Sequence, residues 1–309
     1  MAEVRVFYPG YVSKSVTFTI DDGNIKMDKK FLDIVKPYGI LGTFNLCSHS
    51  MDSMTAEEYR EFYRGYEIAN HVKEHPFVLA DGVNYVVSDE EFDQNTADPK
   101  KLYRVTGKPQ YYYIKKAAGW RRITDADYYI RMCDEGLSDL EEVFGKDSVR
   151  SFVWPYGEQS SKKVLDHLKS QSYYGIRKTG CVDDSTGFAP PADWMAWSYN
   201  ANHQNLLEVM QKYENFPEDG ELKFFSFGVH SVDFERADNW CDLAEFAEKY
   251  GNRPSVYWYA TVGDIYDYLD AVKHLEITDE AINNPSDVAV FVTVDDVKAV
   301  VWPKSALEI

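Results

Sequence analysis

Val16-Thr17-Phe18-Thr19-Ile20-Asp21-Asp22-Gly23 is the stretch on which the fold turns. Its first five residues are apolar or β-branched without polar alternation, which reads as a strand buried on both faces, the kind found in parallel sheets covered by helices. Further along, Lys29 to Tyr38 has helical spacing with Asp28 as its expected cap, and Gly42 to Leu46 returns to strand. Thr55-Ala56-Glu57-Glu58 has the form of a capping box, opening a helix that leads into a short strand at Glu67 to Asn70. Strand-like Arg150 to Trp154, Tyr173 to Arg177, Lys223 to Val229 and Val256 to Ala260 then alternate with helical Ser161 to Ser170, Asn239 to Tyr250 and Gly263 to Lys273. This βα repetition predicts an α/β chain built on a parallel sheet or barrel.

Two segments depart from the rhythm. From about Phe77 to Thr124 helical signals are few and aromatics many, with turn signals at Gly107-Lys108-Pro109 and Ala118-Gly119, so a β-rich insertion on one face is expected. After about Glu276 the pattern becomes strand, the two-residue turn Asp295-Asp296, then strand. The expected organisation is a barrel over residues 1–275 carrying the insertion at about 77–124, and a C-terminal β-hairpin appendage over 276–309.

The 309 residues hold 33 Lys and Arg against 51 Asp and Glu, a net charge of −18, with 44% hydrophobic residues. That is ample apolar content for a buried core and argues against disorder. An acidic balance with no Lys/Arg-rich run argues against nucleic acid or an anionic membrane as partner, since both reward clustered positive charge. Cys47, Cys133, Cys181 and Cys241 are far apart and make no disulfide framework, so they read as ordinary thiols. No apolar run has the length of a membrane span. Met1 to Arg5 lacks the apolar stretch of a leader, which points to the cytoplasm, whereas a polymer substrate would point to export after a leader is removed. Oligomeric state is not legible.

Three points in the chain carry chemistry. Adjacent carboxylates at a strand end, Asp21 and Asp22, are costly unless a cation or a proton separates their charges, although Asp-Asp-Gly is also what a simple turn uses. His71-Val72-Lys73-Glu74-His75-Pro76 places two imidazoles four residues apart, a spacing that one turn can converge on a single ion. His230 again ends an apolar strand, where a core histidine is the alternative. In a βα barrel the carboxyl ends of the strands share one face, and Asp21-Asp22, His71, Pro155-Tyr156-Gly157 and His230 all follow expected strands. His49, His167, His203 and His274 read as non-catalytic.

From about Ser15 to Ala271 the sequence resembles the polysaccharide deacetylases with a NodB-homology domain, carbohydrate esterase family 4. Thr19-Ile20-Asp21-Asp22-Gly23 is similar to the family's T-F-D-D-G, and His71 to Pro76 to its H-[ST]-x-x-H-P. Trp154-Pro155-Tyr156-Gly157 is similar to the P-Y-G element and Val229-His230 to the late hydrophobic-His motif. The resemblance implies a distorted (β/α)7 TIM-like barrel that hydrolyses an acetyl group from an N- or O-acetylated saccharide with water activated at a divalent metal. That metal, usually Zn²⁺, with Co²⁺, Ni²⁺ or Fe²⁺ as alternatives, would be held by Asp22, His71 and His75. Asp21 would be the base, His230 the acid and the Tyr156 backbone N–H an oxyanion donor. Trp154 and Pro155, with Asp193 and Trp194 as a match to the family's Asp-Trp motif, would contact substrate. Independent chemistry agrees: two neutral imidazoles and a carboxylate leave a position for water, whose pKa on zinc falls from about 9 for the aqueous ion towards about 7.

The sequence departs from the family at two places. Val153 stands where the family has an Arg contacting the base, with Arg150, Arg121 and Arg122 as substitutes, and Val72 replaces a Ser or Thr. Val153 also motivates a different reading, a non-catalytic carbohydrate-binding barrel. A third reading is a hydrolase of a non-sugar amide, because fold does not fix chemistry. The insertion aromatics, with Trp194 and Trp197, serve either sugar stacking or packing.

Overall fold

Seven parallel strands form the centre of the molecule: Lys14–Asp22, Thr43–Leu46, Glu67–Asn70, Ser151–Val153, Gly175–Cys181, Trp197–Tyr199 and Lys223–His230. The computed structural model describes residues 2–157, 159–182 and 187–309. In it the first six strands pair successively in chain order, and the seventh pairs with the first along its whole length, Lys223 opposite Lys14 and His230 opposite Asp21. The ring closes just after the sixth strand, where Asn200 N–H donates to Ser226 O (2.8 Å) and Gly228 N–H to Ala201 O (2.9 Å). This is a distorted (β/α)7 barrel, thinnest at that seam. An eighth strand, Tyr257–Tyr259, pairs with the amino half of the first strand, while Thr43–Leu46 pairs with the carboxyl half.

The first strand is buried from Lys14 to Asp21, as its uninterrupted apolar run requires. The helix that follows, Ile25–Val35, begins one turn earlier than expected. Its cap is Asn24, which accepts from Met27 N–H (3.2 Å). Asp28 lies inside the fold instead, accepting from Ser231 Oγ (2.6 Å) and Tyr63 OH (2.9 Å). The Thr55–Glu58 capping box forms as expected at the helix Ala56–Phe62. A 19-residue helix, Ala126–Phe144, capped by Asp125, covers the third and fourth strands and drew no signal in the sequence reading.

Burial pushes the Asp28 carboxyl up to about 7, and the Asp22 charge adds to this against the pull of the Ser231 and Tyr63 hydrogen bonds. A carboxyl whose folded value exceeds its unfolded one binds more protons in the native state, so stability falls as pH rises between the two values. The wild-type protein is therefore expected to lose stability between about pH 4 and about pH 7, and Asp28→Asn to flatten that slope. Urea midpoints measured across the range check it, and an unchanged slope would contradict it.

The insertion is a five-stranded sheet of Phe77–Val78, Val86–Ser88, Lys101–Val105, Lys108–Lys116 and Gly119–Thr124. After the last barrel helix, Val262–Lys273, the expected hairpin is present as Val290–Val294 and Val297–Val301, with Asp295 and Asp296 both left-handed (φ 49° and 65°), as a two-residue hairpin turn demands. It is not a lone hairpin. Val4–Phe7 adds a third, antiparallel strand, Val4 opposite Val294, and a second small sheet joins Glu276–Ile277, Ala281–Asn284 and Ser305–Glu308. The C-terminal sheet thus takes in a strand from the first residues, a pairing across the chain length that no local pattern reveals.

Candidate active site

The carboxyl ends of the strands gather the chemistry on one face, as barrel geometry dictates. Asp21 and Asp22 end the first strand, His71 follows the third, His75 lies four residues on and His230 ends the seventh. His71 Nε2 and His75 Nε2 are 3.1 Å apart, and each is 3.5 Å from Asp22 Oδ1. Asp22 itself is left-handed (φ 78°), which turns its carboxylate off the strand direction and towards the imidazoles.

These three atoms have the character of ligands. His71 is 1% exposed, and its Nδ1–H donates to Val153 O (2.9 Å), which fixes the tautomer and leaves the Nε2 lone pair facing Asp22. Burial, with the nearby His71, pushes His75 down to about 4, so it is neutral at neutral pH. Burial opposes ionisation of Asp22, yet the adjoining imidazoles of His71, His230 and His75 hold its carboxyl well below the usual carboxylate range. Its Oδ1 is sealed from solvent without a hydrogen-bond partner. A buried, charged and unsatisfied oxygen between two imidazole lone pairs fits a divalent cation, which would satisfy all three at once.

Cys47 is a site neighbour that the sequence reading passed over. Its Sγ lies with ligand atoms of Asp22 and His71 in a cluster in which all are within 4.8 Å of one another. Its thiol donates to His71 O (3.1 Å), whereas His75 Nε2 faces both other ligand atoms, 3.1 Å from His71 Nε2 and 3.5 Å from Asp22 Oδ1. His75 is therefore the better third donor.

Asp21 stands beside the triad, buried, and its Oδ1 accepts from Asn45 Nδ2 (2.7 Å) and from Arg177 Nη2. Burial alone would raise its carboxyl; the Arg177 charge, with those of His71 and His230, brings it below the ordinary value. Among the described residues both contacts fall on Oδ1, leaving Oδ2 to accept a proton. Arg177 is the cation missing at Val153, delivered by the next strand of the barrel. The three substitutes expected from sequence are engaged elsewhere: Arg150 with Asp267, Arg122 with Glu74, and Arg121 on the insertion with the Trp120 carbonyl.

Opposite Asp21, His230 Nε2 is 3.8 Å from Asp22 Oδ2, and its Nδ1 is held by Asp233 Oδ2 (2.7 Å). Burial would lower this imidazole, but the Asp233 hydrogen bond and the charges of Asp21, Asp22 and Asp233 push it up to about 9. Asp233 escaped the sequence reading, although its position three residues after His230 has capping-box spacing. Tyr156, left-handed at φ 58°, brings its ring to 4.4 Å from that of His75, and Phe77 stacks on its other side at 3.8 Å.

Three of the four expected substrate contacts are not in this cleft. Trp154 is fully buried against Tyr129 and Phe152, because strand alternation turns it into the helical layer, while Pro155, the fourth, is buried next to Tyr156. Asp193 caps the short turn Trp194–Ala196. Trp194 packs on Tyr174, Trp197, Phe224 and Tyr266 beside the amino ends of the fifth and seventh strands, the opposite face of the barrel. The rings near His75 are the exposed Tyr156 and the half-buried Phe77 instead.

The model of the polysaccharide deacetylase family matches residues 11–176. The chain belongs to the polysaccharide deacetylase family. Deacetylases of this family are enzymes, and a curated relative, the peptidoglycan-N-acetylmuramic acid deacetylase PdaA of Bacillus subtilis, is 25% identical over 172 residues. That match takes in 55% of this chain and 60% of the relative, less than two thirds of the relative's length. Among solved structures, the Xyl-CE4 domain of a multidomain xylanase from the hindgut metagenome of Trinervitermes trinervoides is 16% identical, covering 84% of this chain and 92% of that one, with a TM-score of 0.45. A family 4 acetyl xylan esterase from Clostridium thermocellum, in complex with a cobalt ion, is 15% identical over 82% of this chain and 90% of that one, with a TM-score of 0.45. Among the described residues, no helix of this deacetylase-family chain is long and apolar enough to cross a membrane.

Proposed function

We propose that the protein is a metal-dependent deacetylase of an N- or O-acetylated saccharide, with Asp22, His71 and His75 as ligands, Asp21 as base and His230 as acid. The observation that carries this reading is the convergence of Asp22 Oδ1 with the two Nε2 atoms, flanked by Asp21 and His230. A divalent cation held there, Zn²⁺ by preference, supplies Lewis acidity that makes water a better nucleophile and the acetyl carbonyl a better electrophile. Asp21, kept ionised by Arg177, takes the proton from the attacking water on Oδ2. As the tetrahedral carbon collapses, the bond from carbon to the sugar nitrogen or oxygen breaks. His230 Nε2 gives its proton to that leaving atom, Asp233 holding the ring in place, and acetate departs. The Tyr156 backbone N–H steadies the developing oxyanion, a role supported by the left-handed backbone at Tyr156 and by its ring abutting that of His75.

The non-catalytic reading drew its support from Val153, and Arg177 removes that motive by supplying the cation from another strand. The test is acetate release by metal-reconstituted protein on N-acetylglucosamine oligomers, acetylated xylan and peptidoglycan fragments, with a chelated sample and Asp22→Ala alongside. Release from at least one substrate, lost in both controls, is the expected outcome. Silence across the panel with cation bound would count against it.

A further inference from the structure

The acidic balance of the chain hides a local reversal. Between Lys100 and Arg122 there are eight Lys or Arg residues and no Asp or Glu, in a protein of net charge −18. They form no contiguous run, so the sequence reading found no basic stretch; strand pairing in the insertion gathers them. Tyr112 lies opposite both Arg104 and Ile123, Ile114 opposite Arg121, and Phe77 opposite Ile123. Directly paired residues share a face and alternate residues repeat it, so Arg104, Tyr112, Lys116, Arg121 and Phe77 stand on one side of the sheet with Ile123, which is buried between Tyr112 and Phe77.

That side leads to the catalytic cleft. Lys116 Nζ is 4.8 Å from the Phe77 ring centroid, Phe77 stacks on Tyr156 at 3.8 Å, and Tyr156 abuts His75 at 4.4 Å. Arg104 is exposed and Arg121 half-buried, and among the described residues no salt bridge joins either to a carboxylate. Two strand intervals across and one residue pair along separate them by about 12 Å, close to the length of a disaccharide unit. Guanidinium groups match carboxylates in bidentate geometry, and Arg104 is steadied by lying over the Tyr112 ring at 5.5 Å from its centroid.

We propose that this face is a docking surface for a glycan bearing carboxylates, the acidic part of the substrate polymer whose acetyl group reaches the site beside Tyr156. The inference deepens the deacetylase reading and rests on it for the polymer's acetylation. A sparsely charged acidic sugar chain suits a few spaced cations on a strongly acidic protein. A polyphosphate, with a charge at every unit, would meet repulsion from the rest of the surface.

Matched acetylated xylo-oligosaccharides with and without glucuronic acid branches, given to the full metal-loaded chain, test it by calorimetric affinity and by acetate release. Wild-type protein should bind the acidic oligomer at least tenfold more tightly than the neutral one at low ionic strength, with the preference shrinking in high salt. In R104Q/R121Q the acidic-to-neutral ratio of kcat/KM should fall at least fivefold. Equal affinity for both oligomers in wild type, an unchanged ratio in the variant, or tighter binding of a polyphosphate of similar length would each overturn the proposal. Salt-sensitive preference for the acidic oligomer without acetate release would uphold the docking surface and remove the deacetylase reading; equal release from both would do the reverse.

Discussion

Arg177→Met is expected to lower the stability of the protein by about 3–5 kcal/mol, the usual cost of removing one partner from a buried ion pair. Arg177 is fully buried, and its guanidinium meets the Asp21 carboxylate on one side, the Lys178 carbonyl (3.1 Å) on another, and lies over the Tyr199 ring at 5.3 Å. Methionine fills much of the same volume but leaves Asp21 buried without its counter-charge, so that its carboxylate is either stranded at a cost in stability or forced to take up a proton. The same change should depress acetate release, because a base that holds its proton is no longer a base. The double variant Arg177→Met/Asp21→Asn should recover most of the lost stability and none of the activity, since it removes the stranded charge along with the base. Chemical denaturation of the wild type and three variants gives the comparison. A single Arg177 variant as stable as wild type would show that the pair contributes nothing net.

Asp21→Asn alone separates base from ligand. The amide Oδ1 can still accept from Asn45 and Arg177, so the local contacts persist at a cost in stability from the uncompensated Arg177 charge, but there is no carboxylate to take a proton. Acetate release should fall by about 10²–10⁴-fold, the range for loss of a positioned general base, while the amount of cation held, read by atomic absorption after dialysis, stays at the wild-type level. Loss of the cation together with activity would make Asp21 a ligand and reassign the pair.

The chemistry was more legible in sequence than the scaffold that tunes it. Asp21-Asp22, the His71–His75 spacing and His230 announce themselves because each sits at the end of a buried apolar run, where a charged side chain needs a reason. Arg177 gave a weaker signal of the same kind, one guanidinium closing the apolar Tyr173–Ile176 run, but its partner is 156 positions away and only barrel closure brings them together. Trp154 was misread for the converse reason: a tryptophan beside a motif looks like a sugar platform until the strand's alternation shows which way it points. Asp28 looked like a cap because it precedes a helical pattern, and Asn24, one turn earlier, took that place. The sheet of the insertion was foreseeable from its aromatics, but the gathering of its cations on one face depends on register, which composition does not carry.

The strand Val4–Phe7 has a further consequence for how the molecule is made. Its only ladder among the described residues is with Val290–Val294, so this strand waits for a partner synthesised long after it before its edge is covered. The first barrel strand waits in the same way for Lys223–His230. Both edges therefore stay open over much of the synthesis of this stretch, and completion of the barrel and of the C-terminal sheet waits on the distant strands that close them.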